Sequence, residues 1–318
     1  MQAEGSLRNL ALVAGGALLG VVGPELISWA SPGWKRTTAL ALVSLTLLLF
    51  GFGLFQRGIY RLRLFLRRHR VRRPRIGILI GISRRATDEV PAVCTDIPAR
   101  EWEEEIHRAA VARGVKVRVK RIYATSTFDD CDVILNPFGG TYPELSFDGF
   151  PTYRKLLRYI REGGIFANVA DIPTYWAYNP ALRRSIDRTP AVYGVDGTEL
   201  RFFQRVPLME ELSVRVLNCQ GPQPPSVTLG LRPEYSSCSS NPISLLMTRA
   251  AYVEGNVDSV VQPVQLNDRP VTPLFFCTYG NGRAHCYRSF LTGNYVSANR
   301  PLIQLVANLV LHATGRDS

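Results

Sequence analysis

Between Asp132 and Trp176 the chain carries two short apolar runs, 133–135 and 165–169, separated by a segment with helical spacing. Each run has a length suited to a strand buried on both faces. In the intervening stretch Tyr153, Leu156, Leu157 and Ile160 fall on one helix face, Pro151 suits the first turn and Gly163 supplies the stop. A strand, a helix and a strand in that order predict a parallel pair joined by a crossover. The two strand ends then lie side by side at the carboxyl edge of a sheet, where open α/β folds bind ligands.

The segments around this unit extend the same pattern. Residues 76–82 read as a buried strand. Residues 98–113 read as a helix that starts acidic, with Glu101, Glu103, Glu104 and Glu105, and ends basic, with Arg108 and Arg113 before Gly114. Residues 115–122 alternate basic and apolar side chains, as a strand with one exposed face does. The succession predicts an α/β domain with a doubly wound, mostly parallel sheet of flavodoxin-like type. From residue 178 onward Pro, Gly, Ser and Asn become frequent, and short β-type runs at 212–217, 226–229, 250–253 and 260–266 read as β-rich insertions in the same domain. Strands at 271–279 and 283–290, joined by Gly280, Asn281 and Gly282, and a last helix over 302–313 complete the expected sheet.

The amino-terminal part has another character. Residues 10–30 are apolar with Glu25 as their only charge, and 38–55 carry no charge. Both approach the roughly 20 residues that span a bilayer, so residues 1–56 predict a two-helix transmembrane hairpin. The formal net charge is +12, and nine of those charges are Arg57, Arg61, Arg63, Arg67, Arg68, Arg70, Arg72, Arg73 and Arg75. This polybasic segment, 57–75, leaves about +3 for the rest by subtraction, which is ordinary for a globular domain. Arginines directly after an apolar span mark a cytoplasmic flank, which predicts a two-pass inner-membrane chain with both ends in the cytoplasm. Their expected partner is a bilayer with anionic headgroups. Nucleic-acid binding is disfavoured, because position beside the apolar spans already accounts for the charge. The Gly16 and Gly20 step lets the second helix approach the first closely, and a homo-oligomer is a further expectation.

Six cysteines, at 94, 131, 219, 238, 277 and 286, form no CxxC pair, and the four histidines are scattered. Neither a metal site nor a cofactor is predicted, and reduced, mostly buried thiols are expected.

The order of strand, NPFGGTYPE, helix, REGGIFANVA, then a late GNGR hairpin and a terminal helix resembles the class I glutamine amidotransferase-like superfamily over 75–318. The resemblance implies that the glycine loop, matched by Gly139 and Gly140, offers a backbone N–H to an oxyanion hole. It also implies a nucleophile at an elbow after the following strand, and that position falls on Ala170. A methyl group cannot form a thioester. The His-x-Glu pair of the family is missing as well, since Arg288, Ser289 and Phe290 stand there.

The expected ligand-binding set at the strand ends is therefore Asn136, Gly139, Gly140, Tyr142, Glu144, Asn168, Ala170, Asp171 and Arg288, with Asp171 and Glu144 as the catalytic candidates if any chemistry remains. The leading expectation is a membrane-anchored, catalytically degenerate amidotransferase-like domain that senses a small polar ligand or docks a protein. The alternatives are a membrane-tethered hydrolase or transferase using Asp171 and Glu144, and a two-helix membrane effector gated by a ligand.

Overall fold

A computed structural model describes residues 73–84, 97–169, 172–179, 192–193, 199–200, 203–205, 208–218, 226–239, 242–246, 251–266, 269–271, 273–287 and 300–315. The chain divides into two compact units, Met1–Val71 and Arg72–Ser318, and every described residue belongs to the second.

A seven-stranded sheet forms its centre. Its strands are β1 (Arg75–Gly81), β2 (Arg118–Tyr123), β3 (Val133–Asn136), β5 (Ile165–Val169), β7 (Asp258–Ser259), β8 (Leu274–Tyr279) and β9 (Gly282–Tyr287), while β4 (Thr141–Pro143) and β6 (Trp176–Tyr178) pair beside it. The order across the sheet is β7-β8-β9-β5-β3-β1-β2. The five strands from β9 to β2 are mutually parallel, and β8 is antiparallel to both β9 and β7.

Helices cover both faces. On one lie α1 (Ala99–Ala112) and α3 (Arg300–Ala313), packed over Ile76, Ile78, Val133, Leu135, Ala167 and Val169. On the other lies α2 (Pro151–Arg161), packed over Leu79, Ile134, Phe166, Ala284 and Cys286. Successive strand residues alternate between these clusters, as the period of two requires. α3 buries Leu302, Ile303, Leu305, Val306, Ala307, Leu309, Val310 and Leu311, more than one helix face, because the sheet, α1 and the 3₁₀ turn Pro233–Cys238 all pack on it. Gly77 is required by packing: a Cβ there would stand 2.6 Å from Ile122 Cδ1 and 2.7 Å from Cys131 Sγ.

The start of α2 is fixed by one side chain. Glu144 is fully buried, and its carboxylate accepts hydrogen bonds from the N–H groups of Thr152 (3.0 Å), Tyr153 (2.9 Å) and Leu145 (2.7 Å), with Ser146 at 3.4 Å. Two of these are first-turn donors that no helical carbonyl can satisfy, and negative charge is favoured at that end.

The sheet departs from the expected flavodoxin-like, doubly wound plan. Its fifth parallel strand, β9, arrives through a hairpin from β8 and not over a crossover helix. Among the described residues between β5 and β8, short strands pair in small two- and three-stranded sheets, such as Arg215–Asn218 with Ala251–Glu254 and Ser226–Leu229 with Ile243–Leu246. Pro, Gly and Ser disfavour a long helix, and among the described residues of this segment none forms a crossover helix; the last strands enter as a hairpin.

The two-pass inner-membrane expectation is not retained either. Among the described residues no helix is long and apolar enough to cross a membrane. The longest have 14 residues, about 21 Å at 1.5 Å per residue, against the ~30 Å of a hydrocarbon core. The apolar runs 10–30 and 38–55 lie outside the described residues, as do Arg57, Arg61, Arg63, Arg67, Arg68, Arg70 and Arg72.

Candidate functional site

The carboxyl ends of β3 and β5 are adjacent, and Asn136 and Asn168 are register partners there. Both are fully buried. Asn136 Nδ2 donates to Asn168 Oδ1 at 2.7 Å and to the Thr141 carbonyl at 3.0 Å, while its Oδ1 accepts from the Phe138 N–H at 3.3 Å. One amide thus folds the 137–141 loop back on its own strand and ties it to the neighbouring strand. Gly139 holds φ at +66°, in the left-handed region open to glycine at no steric cost. Gly140 hands the chain to β4, its carbonyl accepting from the Trp176 N–H at 2.8 Å.

Next to this loop stands Thr141, fully buried, whose hydroxyl has no hydrogen-bond partner in the protein. A buried hydroxyl in that state costs about 1–3 kcal/mol.

The other predicted residues have different fates. Tyr142 enters the core over α2, with its ring edge-on to Phe166 at 6.3 Å, and burial, helped by Glu144, holds its phenol well above the usual range. Glu144 spends its carboxylate on the start of α2, and its expected catalytic partner Asp171 lies outside the described residues. Ala170, Asp171 and Arg288 lie outside the described residues. The predicted set therefore resolves into Asn136, Gly139, Gly140 and Asn168 together at the strand ends, with Tyr142 and Glu144 supporting them.

No described cysteine is poised as a nucleophile. Cys131, Cys238, Cys277 and Cys286 are buried, and desolvation pushes the thiols of Cys131 and Cys277 up to about 11 and about 12. Cys94 and Cys219 lie outside the described residues. Among the described residues no group of three or more His, Cys, Asp or Glu is placed to hold a metal ion. Of the basic run, Arg73 is exposed and Arg75 opens β1. The backbone N–H of Arg75 donates to Asp132 Oδ2 at 2.8 Å, and its guanidinium meets Asp130 at 3.3 Å.

A second feature was not anticipated. A cavity of about 290 Å³ opens toward the amino end of β9, on the α3 face, lined by Tyr235, Val260, Arg283, His285, Leu309 and His312 among others. Arg283 and His285 are two apart on one strand and so share a face. His285 stacks on Phe276, with ring centroids 4.9 Å apart, and the Arg283 guanidinium lies over the same ring at 4.9 Å. Burial, reinforced by Arg283 and His312, drives the His285 imidazole down to about 3 and keeps it neutral. His312, in the last turn of α3, meets the Tyr235 ring at 5.0 Å, and is also held below its ordinary value by burial and by Arg113 and Arg283. The only hint in the sequence was the alternation of Arg283 and His285, which has to be joined to a histidine 27 residues later.

No protein-family model matches the sequence, and no curated protein matches it either. Among solved structures, a β-galactosidase from Rahnella sp. R3 is 12% identical with a TM-score of 0.41, covering 75% of this chain and 31% of that one. A β-galactosidase from Bacillus circulans sp. alkalophilus is 9% identical with a TM-score of 0.43, covering 75% and 31%. A cytoplasmic protein of Salmonella typhimurium is 12% identical with a TM-score of 0.39, covering 75% of this chain and 98% of that one. The chain spans about a third of the length of these β-galactosidases. The amidotransferase resemblance finds no support in these comparisons and is not retained, and the likenesses themselves are too weak to assign a family in its place.

Proposed function

We propose that the Arg72–Ser318 unit binds a small polar molecule at the carboxyl ends of β3 and β5. The observation that carries this reading is the Thr141 hydroxyl, buried with no protein partner beside a glycine-bearing loop pinned by two buried amides. A loop tied to its strand by buried amides is preorganised, and a buried side-chain hydroxyl without a protein partner beside it is suited to a ligand's donor or acceptor. Buried water serves the same purpose in many proteins, so the test must separate the two.

The experiment compares the full chain with Thr141→Val in thermal melts against single amino acids, their amides and simple sugars. The reading expects at least one of these classes to raise the melting temperature of the parent protein by several degrees, with the response lost in the variant. The variant itself should be as stable as the parent or more so, by about 1 kcal/mol, because an unsatisfied hydroxyl has been removed. No response from the parent protein to any class, or an undiminished response in Thr141→Val, refutes it.

A further inference from the structure

We propose that the cavity between β9, the last turn of α3 and the 3₁₀ turn Pro233–Cys238 is a second binding site, for a small organic anion: a carboxylate on a short apolar body. Its volume, about 290 Å³, sits at the lower end of small-molecule pockets. Its lining divides by chemistry. Val260, Leu309 and the Tyr235 ring form apolar walls, while Arg283, His285 and His312 supply the polar side.

The charge balance selects an anion. Among the described residues Arg283 makes no ion pair; it rests on the Phe276 ring, which orients the guanidinium without neutralising it. Arg113, at the end of α1, adds a second cation nearby, held by Asn308 Oδ1 at 3.0 Å and the Ser237 carbonyl at 2.9 Å. Two carboxylates lie within electrostatic reach of Tyr235, Glu234 and Asp258, but neither lines the cavity, and Glu234 faces Arg232 at 3.8 Å. The carboxyl end of α3 would ordinarily repel an anion. Here the N–H groups of Thr314 and Gly315 take up the Leu311 and His312 carbonyls, which weakens that repulsion.

The site is also sensitive to pH in the direction that favours anions. The groups facing His312 are Arg113 from α1, Arg283 and His285 from β9, and Tyr235 from the 3₁₀ turn. The arginines and burial disfavour its protonation, and an anion in the cavity reverses that balance. Binding therefore strengthens as pH falls.

The test is benzoate binding to the full chain, measured by calorimetry at pH 8 and pH 6, with benzamide and inorganic phosphate as comparators. Benzoate should bind and benzamide, its neutral isostere, should bind at least roughly tenfold more weakly. Arg283→Gln, at an exposed position and checked for retained fold by circular dichroism, should weaken benzoate by a similar factor. His312→Gln should abolish the gain in affinity between pH 8 and pH 6. Equal affinity for benzoate and benzamide, an unaffected Arg283→Gln variant, or binding of phosphate without benzoate would each overturn the proposal. The outcome is independent of Thr141, so the two sites stand or fall separately.

Discussion

The carboxyl ends of β3 and β5 and the cavity toward the amino end of β9 use similar residue types to opposite ends. At the first, the side-chain polar groups are mostly consumed: Asn136 and Asn168 bind each other and the loop, and Glu144 binds the start of α2. At the second, an arginine and two histidines stand around open volume, arranged by aromatic stacking. The difference teaches that a polar residue at a strand end says little about ligands until its hydrogen bonds are assigned. Groups spent on hydrogen bonds inside the fold build a site's rigidity, and groups that face open volume are the ones placed to recognise.

Three measurements sharpen or break that contrast. The largest expected effect is at Glu144. Glu144→Ala strands buried backbone donors at the start of α2, and should cost about 2–4 kcal/mol in urea unfolding. A loss under about 1 kcal/mol would mean that the carboxylate is not the anchor described.

Next comes the pH dependence of stability, which probes the cavity side. The His285 imidazole has a folded-state value near 3 against an ordinary 6.5, so the unfolded chain binds a proton that the folded chain refuses. Its contribution is present above pH 6.5 and is lost as pH falls toward 3. Stability should decline by about 1.4 kcal/mol per pH unit within that window. His285→Phe, which keeps a ring against Phe276, should flatten the part of the slope that this residue owns. An unchanged slope would show that the imidazole is not held neutral.

The smallest effect is expected at the amide pair. Asn168→Leu removes one of the acceptors of Asn136 Nδ2 but leaves the Thr141 carbonyl, so the loss should be about 1–2 kcal/mol. Hydrogen exchange should show the 137–141 loop opening more often in this variant than in the parent. Protection equal to the parent's would mean that the loop is held by its turn geometry alone.

Much of the architecture could be read in advance where periodicity was strong. The run 165–169 becomes β5 with the same bounds, the helix expected between Pro151 and the Gly163 stop becomes α2, and Ser226–Leu229 is a strand as expected. The last helix begins two residues earlier than its expected start at 302, at Arg300, which meets Glu101 of α1 in an ion pair. Local pattern cannot report such a contact across 199 residues. The expected strand 283–290 is described only as far as Tyr287, and the elbow residues Ala170 and Asp171 lie outside the described residues. The adjacency of the two strand ends was legible, but not what the side chains around them do. Glu144 looks like a pocket carboxylate because it follows a strand-like segment, whereas its helix partners are donors eight and nine residues ahead that only the turn at Phe150, with φ at +45°, brings back to it.

By itself the sequence determined the alternation of short buried strands with amphipathic helices, and with it a parallel core carrying Asn136 and Asn168 at neighbouring strand ends. Those features depend on local periodicity and on the chirality of crossover connections, which any window of the chain contains. Only the tertiary structure decided that the last strands enter as a hairpin, that Glu144 caps a helix, and that Arg283, His285 and His312 surround one cavity. Each of these depends on which donors, acceptors and charges meet across long stretches of chain, and burial settles their meaning because a polar group removed from water must find its partner wherever the fold has placed it.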